Sequence, residues 1–369
     1  MKIPYINLSA QWEDERRELL PIIDKSLWSG QYVGGKVIEQ LEERVAKLCG
    51  VNYCVALNSG TDALVCGLVA LGVKRGDEVI TPPNSFVAST TAVVHIGAKP
   101  VFVDVLPDQN IDPDLVEKAI TKKTKAIMPV HLSGRMAQMD RLEDISTKYG
   151  VPILEDAAQA IGSKYQNRPA GSWGKVGCFS THPLKNLNAC GDGGLLTTND
   201  GGIARYIRSM RNHGLVDRDT VEEFGYVSRM DTIQATILNY RLSRLEEIVE
   251  KKRQLAEIYI NSLKNAPIIL PIETKEEYHT YHTFVIQLKR RDQLREYLSD
   301  EGIETKIHYP IPIHLQPAMI KVSKEKSILP KAESQADKIL SLPINQYLED
   351  KDLIEVSTKI NLFLGSKSI

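Results

Sequence analysis

Paired cysteines, long apolar runs and an excess of either charge are all missing from this 369-residue sequence. The five cysteines (Cys49, Cys54, Cys66, Cys178, Cys190) are odd in number, scattered, and never form Cys-x-x-Cys. That excludes a disulfide framework and argues against a thiolate zinc site. No uninterrupted apolar run approaches the ~20 residues of a membrane span. The first eight residues lack the apolar core of a signal peptide, and charges arrive at Glu13-Asp14-Glu15-Arg16-Arg17. A reducing cytoplasm is therefore the expected compartment, with no membrane partner. The formal net charge of −1 provides no basic field for nucleic acid. Lys118–Lys125 and Lys289-Arg290-Arg291 are flanked by no aromatic groove and read as solvated helix ends and turns. Gly-x-Ser-x-Gly is absent, as is Gly-x-Gly-x-x-Gly after the first strand, which argues against a serine hydrolase and a dinucleotide enzyme. No internal repeat or low-complexity tract appears.

What is present is an ordinary soluble composition, 42% hydrophobic and 25% charged, long enough for two domains. Residues 9–29 and about 37–48 are helical by periodicity. Short apolar strands and amphipathic helices then alternate. Strands are expected at 53–57, 78–81, 101–105, 126–131 and 151–155, with helices at 63–71, 86–96, 113–120 and 141–149. Alternation of this kind predicts an α/β fold, a mainly parallel sheet between helices. Further helices are expected at 203–213 and, as one long element, from Thr232 to Lys264. Beyond it, strands at 283–288 and 305–308 and helices at 292–301, 332–340 and 351–364 predict a small C-terminal α+β domain. The expected division is 1–250 for a large cofactor-binding domain and 251–369 for the small one.

Ligands of parallel sheets sit beyond the carboxyl ends of the strands. That rule gathers Ser59-Gly60-Thr61, Asn84-Ser85-Phe86, His131-Leu132-Ser133, Asp156-Ala157-Ala158-Gln159 and Ser180–Lys185 at one edge. Ser59-Gly60-Thr61 opens a helix, so it is either a phosphate cradle or a simple N-cap. Glu155 and Asp156 end an apolar strand, where acids need partners. A protonated ring nitrogen is one such partner; a metal or a helix cap is the alternative. Phe86 either stacks on a planar ring or packs in the core. Lys185 lies in the turn Ser180-Thr181-His182-Pro183-Leu184-Lys185, before Gly191-Asp192-Gly193-Gly194. It reads as a Schiff-base lysine for a carbonyl cofactor or as a surface-turn lysine. His279, His282, His308 and His314 lack an acid or thiol at suitable spacing, so no metal site is expected.

Together these segments resemble the DegT/StrS family of sugar aminotransferases, pyridoxal-phosphate enzymes of aminotransferase fold type I. The resemblance runs from about Ile6 to Pro343. It rests on Asn58-Ser59-Gly60-Thr61-Asp62-Ala63-Leu64, Glu155-Asp156-Ala157-Ala158-Gln159-Ala160, Phe179-Ser180 with Lys185-Asn186-Leu187 and the glycine segment, Arg229-Met230-Asp231, and His308-Tyr309-Pro310-x-Pro312-x-His314-x-Gln316. It implies that Gly60, Thr61 and Ser180 hold the cofactor phosphate. It further implies that Phe86 stacks on the ring, Asp156 pairs with the ring nitrogen, Gln159 faces the phenolic oxygen, and Lys185 forms the Schiff base. His182, Arg229, His308 and Tyr309 become expected substrate contacts, in a homodimer whose chains share their sites.

The implied reaction moves nitrogen from L-glutamate, which leaves as 2-oxoglutarate, through the pyridoxamine form of the cofactor. The implied acceptor is a nucleotide-linked keto-deoxysugar, 3-keto favoured over 4-keto, for surface-glycan (lipopolysaccharide) or amino-sugar biosynthesis. Dehydratases of the same fold replace the lysine by histidine, so Lys185 points away from them. A non-catalytic cofactor-binding regulator would need a DNA-binding module that the sequence does not contain. Two departures stand out. Val227 occupies the place of an asparagine that many family members donate across the dimer to the phosphate, and Thr181-His182 replaces an aromatic common in relatives.

Overall fold

Seven short strands, apolar on both faces, form the centre of the computed structural model, which describes residues 2–323 and 327–365. They are β1 (Tyr53–Leu57), β2 (Glu78–Thr81), β3 (Lys99–Phe102), β4 (Thr124–Ile127), β5 (Leu154–Asp156), β6 (Val176–Ser180) and β7 (Gly194–Thr198). Parallel bridges Ile127↔Ile153 and Val130↔Asp156 place β4 beside β5. The spatial order is thus β1-β7-β6-β5-β4-β2-β3, and β7 alone runs against its neighbours. Consequently the start of β7 lies at the same edge as the carboxyl ends of the other strands.

Alternation along each strand assigns its side chains to two cores. Cys54, Ala56, Ile80, Phe179 and Leu195 face one; Val55, Leu57, Val79, Cys178 and Leu196 face the other. Burial on both faces explains the near-continuous apolar runs. α1 (Leu8–Trp28) packs on α8 (Thr232–Leu242). The first face is covered by α2 (Lys36–Cys49), α6 (Met139–Tyr149) and α8, with α5 (Pro113–Ala119) beside α6. The second is covered by α3 (Gly60–Ala70), α4 (Ala88–His95) and α7 (Gly201–Met210). α9 (Leu245–Leu263) passes between cores, with Val249 in the first-face core and Leu255, Ala256 and Tyr259 in a third. That third core contains β8 (Phe284–Gln287) paired with β9 (Ile339–Leu342), the helices Arg291–Asp300 and Asp350–Gly365, and Ile3 from the amino-terminal end.

Three expectations need correction. The single helix from Thr232 to Lys264 is two, α8 and α9. At the break, the amides of Ser243 and Arg244 donate three residues back, to Tyr240 and Arg241. Arg44 clamps the turn by donating to the Ser243 hydroxyl and to Asn239. The helix expected over 332–340 spans Pro330–Ala336, and Ile339–Leu342 is a strand. All four of those residues are buried, and a short apolar run does not distinguish helix from strand by periodicity. The strand expected at 305–308 reduces to one bridge, Lys306↔Ser341.

Glu155 shows how the acids at the end of β5 are accommodated. Its carboxylate accepts from the backbone amides of Gly171, Trp173 and Gly174 at 2.7–2.8 Å. His131 Nε2 donates to it at 3.0 Å, because Nδ1 already accepts from the Ala137 amide. One buried carboxylate therefore folds the 171–174 turn against β5. Glu155→Ala strands three amides and an imidazole N–H in the core. We expect a loss of roughly 3–5 kcal/mol, read as a lower denaturant midpoint, with Glu155→Gln losing less.

Candidate active site

One cavity of about 380 Å³ opens at the carboxyl edge of the sheet, within the roughly 300–1,000 Å³ usual for small-molecule sites. Its walls come from the ends of β1, β2, β5 and β6, from the amino-terminal residues Tyr5–Leu8, from α9, and from segments around His282, His308 and Asn345. Gly60, Thr61, Phe86, Asp156, Gln159, Ser180, His182, Lys185, His308 and Tyr309 all line it. Arg229 does not. Its Nη1 donates to Asn212 Oδ1 at 2.9 Å and its Nε is buried without a partner.

The helix α3 aims its amino terminus into the cavity. Ser59 is its N-cap, accepting from the Asp62 amide at 3.1 Å. Capping leaves the first-turn amides of Gly60 and Thr61 without partners inside the helix, as at any helix start. Those amides and the helix dipole favour an anion. Glycine is needed here for proximity. A Cβ on Gly60 would lie 2.7 Å from Ser180 Cβ, and a Cβ on Gly194 would strike the Ser59 backbone. So α3, β6 and β7 meet backbone to backbone, which accounts for both Ser-Gly-Thr and the glycines before β7.

Asp156 is buried at the end of β5. Ser89 Oγ donates to its Oδ2 at 2.6 Å, Ser85 Oγ lies 2.5 Å from Ser89 Oγ, and the Ala158 amide donates to Oδ1 at 3.2 Å. Burial raises its carboxyl above the usual range, against these hydrogen bonds and the charge of Lys185. Gln159 Oε1 accepts from the Ser133 amide at 2.7 Å, and its Nε2 donates to the Tyr309 hydroxyl at 3.3 Å. Tyr309 and Phe86 are tilted rings 5.8 Å apart. Burial pushes the Tyr309 phenol up, with Asp156 adding to the shift. His308 Nδ1 sits 2.9 Å from Ser341 Oγ, and burial lowers its imidazolium to about 4.

Lys185 sits in the turn after β6, its amide donating to the His182 carbonyl at 2.8 Å. Among the described residues, no hydrogen bond or ion pair reaches its Nζ. Burial lowers its ammonium from 10.5 to about 8, the charge of Asp156 opposing. At pH 7 about one molecule in ten then carries the neutral amine, against roughly one in three thousand for a free lysine. An anion cradle, a buried carboxylate with hydrogen bonds but no ion-pair partner among the described residues, an aromatic wall and an available amine on one cavity fit the phosphate, ring nitrogen, ring face and carbonyl of pyridoxal phosphate.

Comparison with known proteins agrees. The family model for the DegT/DnrJ/EryC1/StrS aminotransferase family matches residues 13–361. The chain belongs to that family. A Geobacillus stearothermophilus protein named pleiotropic regulatory protein is 38% identical, covering 98% of this chain and 99% of its own. A Streptomyces venezuelae dTDP-3-amino-3,4,6-trideoxy-alpha-D-glucose transaminase is 40% identical, over 96% and 94%. The S. venezuelae DesV crystal structure in complex with a ketimine intermediate superposes with a TM-score of 0.96 at 39% identity, covering 99% of each chain. Solved neighbours at 26–32% identity include forms with the pyridoxal and the pyridoxamine cofactor. The fold is that of fold type I aminotransferases, and the cofactor is pyridoxal 5′-phosphate.

Sequence reasoning missed Ser89, Lys252 and His282 as cavity residues. Ser89 lies on the short helix α4 and Lys252 among the charges of α9, where nothing local distinguishes an inward polar side chain from a surface one.

The amine of Lys185 must be neutral to capture an aldehyde. We therefore expect the rate of cofactor uptake by apoenzyme to rise with pH through about 8 and then level off, followed by visible absorbance. Asp156→Asn removes the charge that favours the ammonium and should move that rise to lower pH.

Proposed function

We propose that this aminotransferase moves an amino group from L-glutamate to a nucleotide-linked keto-deoxysugar, the 3-keto position favoured over the 4-keto. The product would serve surface-glycan or amino-sugar biosynthesis. Curated relatives support the substrate class, since one is named for a dTDP-linked amino sugar and matches over almost the whole chain. The single observation that carries the reaction type is the Lys185 amine, with no hydrogen bond or ion pair at Nζ among the described residues, sharing one cavity with the buried Asp156.

Bound pyridoxal phosphate supplies a carbonyl that takes up nitrogen and a ring that draws electrons from the adjoining C–H bond. The chain's own residues do the rest. Gly60, Thr61 and Ser180 hold the phosphate, Phe86 covers a ring face, and Asp156 favours the protonated ring nitrogen. Gln159 and Tyr309, already hydrogen-bonded, close the wall beside the ring. Lys185 Nζ, displaced when the donor amine arrives, takes the proton from the donor α-carbon. His182, His308 and Tyr309 face the sugar. Residues 1–250 carry the cofactor contacts and 251–369 supply the His308-Tyr309 wall.

The second half of the proposal is a homodimer with shared sites. Trp28, Tyr32 and Val33 on one segment, and Phe224, Tyr226 and Val227 on the segment leading to Asp231, are exposed apolar side chains, and the bridge Val33↔Asp231 joins the two segments. Such a set is costly to leave in water if it forms one patch, and a second copy of the chain would cover it.

Purified protein should be yellow, and L-glutamate should abolish the visible band and release 2-oxoglutarate. Lys185→Arg should fold normally, stay colourless, and lose at least about 10³-fold in rate. A panel of nucleotide-linked 3- and 4-keto sugars with mass-spectrometric readout then identifies the acceptor. Full activity of Lys185→Arg would overturn the mechanism, and no amination of any keto sugar would overturn the substrate class.

A further inference from the structure

Lys252 and His282 form a part of the cavity wall to which the reaction above gives no task. Lys252 projects from α9 and is 7% exposed. Its Nζ donates to Asn186 Oδ1 at 2.8 Å and to the His282 carbonyl at 3.4 Å. Both acceptors are neutral, and an ammonium has three protons to place. No carboxylate of a described residue pairs with it. Beside it, His282 Nδ1 is buried without a hydrogen-bond partner. Both residues line the cavity.

A buried ammonium without a counter-ion is unfavourable unless something else supplies the negative charge. Burial brings Lys252 to about 8, so about nine in ten molecules still carry the charge at pH 7. His282 is held neutral, chiefly by burial and then by the charges of Lys185 and Lys252. A neutral imidazole still offers one N–H. The cavity's own acids do not fill the gap. Asp156 is bonded to Ser89 and the Ala158 amide, and Asp192 belongs to the glycine segment before β7. The missing partner is therefore an anion brought in by a ligand.

Position selects which anion. The phosphate end of the cofactor belongs to α3, on another wall. Lys252 holds Asn186, the residue directly after Lys185, so its charge lies on the side where the reacting amine is anchored. A ligand that brings both an amine and a carboxylate to that side is an amino acid. We propose that Lys252, assisted by His282, binds a carboxylate of the amino-acid donor. The proposal rests on the aminotransferase reading and adds the donor subsite to it.

Glutarate, an unreactive dicarboxylate, and L-glutamate are the probes, with holoenzyme carrying Lys252→Met, Lys252→Arg or His282→Leu. Lys252→Met should weaken glutarate binding by calorimetry at least about tenfold, the loss of one charge-assisted contact. It should raise the KM for L-glutamate similarly, with kcat within about threefold. Pyridoxal phosphate affinity and the half-reaction of the pyridoxamine form with keto sugar should stay unchanged. Lys252→Arg should restore most of the glutarate affinity, and His282→Leu should lose about threefold. Unaltered glutarate affinity in Lys252→Met overturns the proposal, as does an equal loss with both substrates, which would make Lys252 only a tie between α9 and the Lys185 turn. If Lys252→Met does not fold, the His282→Leu and Lys252→Arg affinities decide in the same way. If wild-type protein binds glutarate through Lys252 but never reacts with L-glutamate, the aminotransferase reading fails and the subsite stands.

Discussion

A buried Asp156 and a half-buried Lys185 on one cavity, without a direct bond between them, are the constraint on which the site depends. Each group is shifted toward neutrality by desolvation, and their mutual attraction recovers only part of that cost. If the two were in contact, the attraction would keep both charged and the amine would be inert. If the carboxylate were exposed, it would return to the ordinary range. The sheet keeps them apart by placing them at the ends of adjacent parallel strands, Asp156 at the end of β5 and Lys185 one turn beyond β6. Ser89 then holds the carboxylate from α4, outside the sheet.

Holding such a pair requires a rigid edge, and the edge is built from backbone. Glu155, next to Asp156, spends its whole hydrogen-bonding capacity on the 171–174 turn and His131. Neighbouring acids on one strand thus point to opposite faces, as strand geometry requires. One organises the scaffold while the other is left for chemistry. Gly60 and Gly194 permit α3 and β7 to close on β6 with no side chain between them. The reversed direction of β7 serves the same end, because it returns the chain to this edge and places its glycines there.

Much of this was legible in the sequence because the relevant signals are local. Apolar strands ending in Ser-Gly-Thr, Glu-Asp or a lysine turn announce both the sheet and its functional edge. Ten of the eleven residues expected in the site line the cavity. What stayed hidden depends on distant partners. The break at Ser243 is maintained by Arg44, about two hundred residues away in the chain. The strand Ile339–Leu342 is defined by pairing with Phe284–Gln287, which composition does not encode. Lys252 is one charge among several on α9, and only the packing of that helix between cores turns it inward.

The substitution of Val227 for the family's asparagine takes on a physical meaning in this frame. Val227 is more than half exposed and bridges Asn212, so its side chain makes no polar contact with the chain's own α3 end. The next residue does. Ser228 is fully buried, and its hydroxyl donates to Asn58 Oδ1 at 3.1 Å, one residue before the Ser59 cap. A polar link between the 225–229 segment and the anion-binding end of α3 therefore exists within a single chain. With valine at 227, which has no polar group to offer, the bracing of that end of α3 from this loop comes from Ser228.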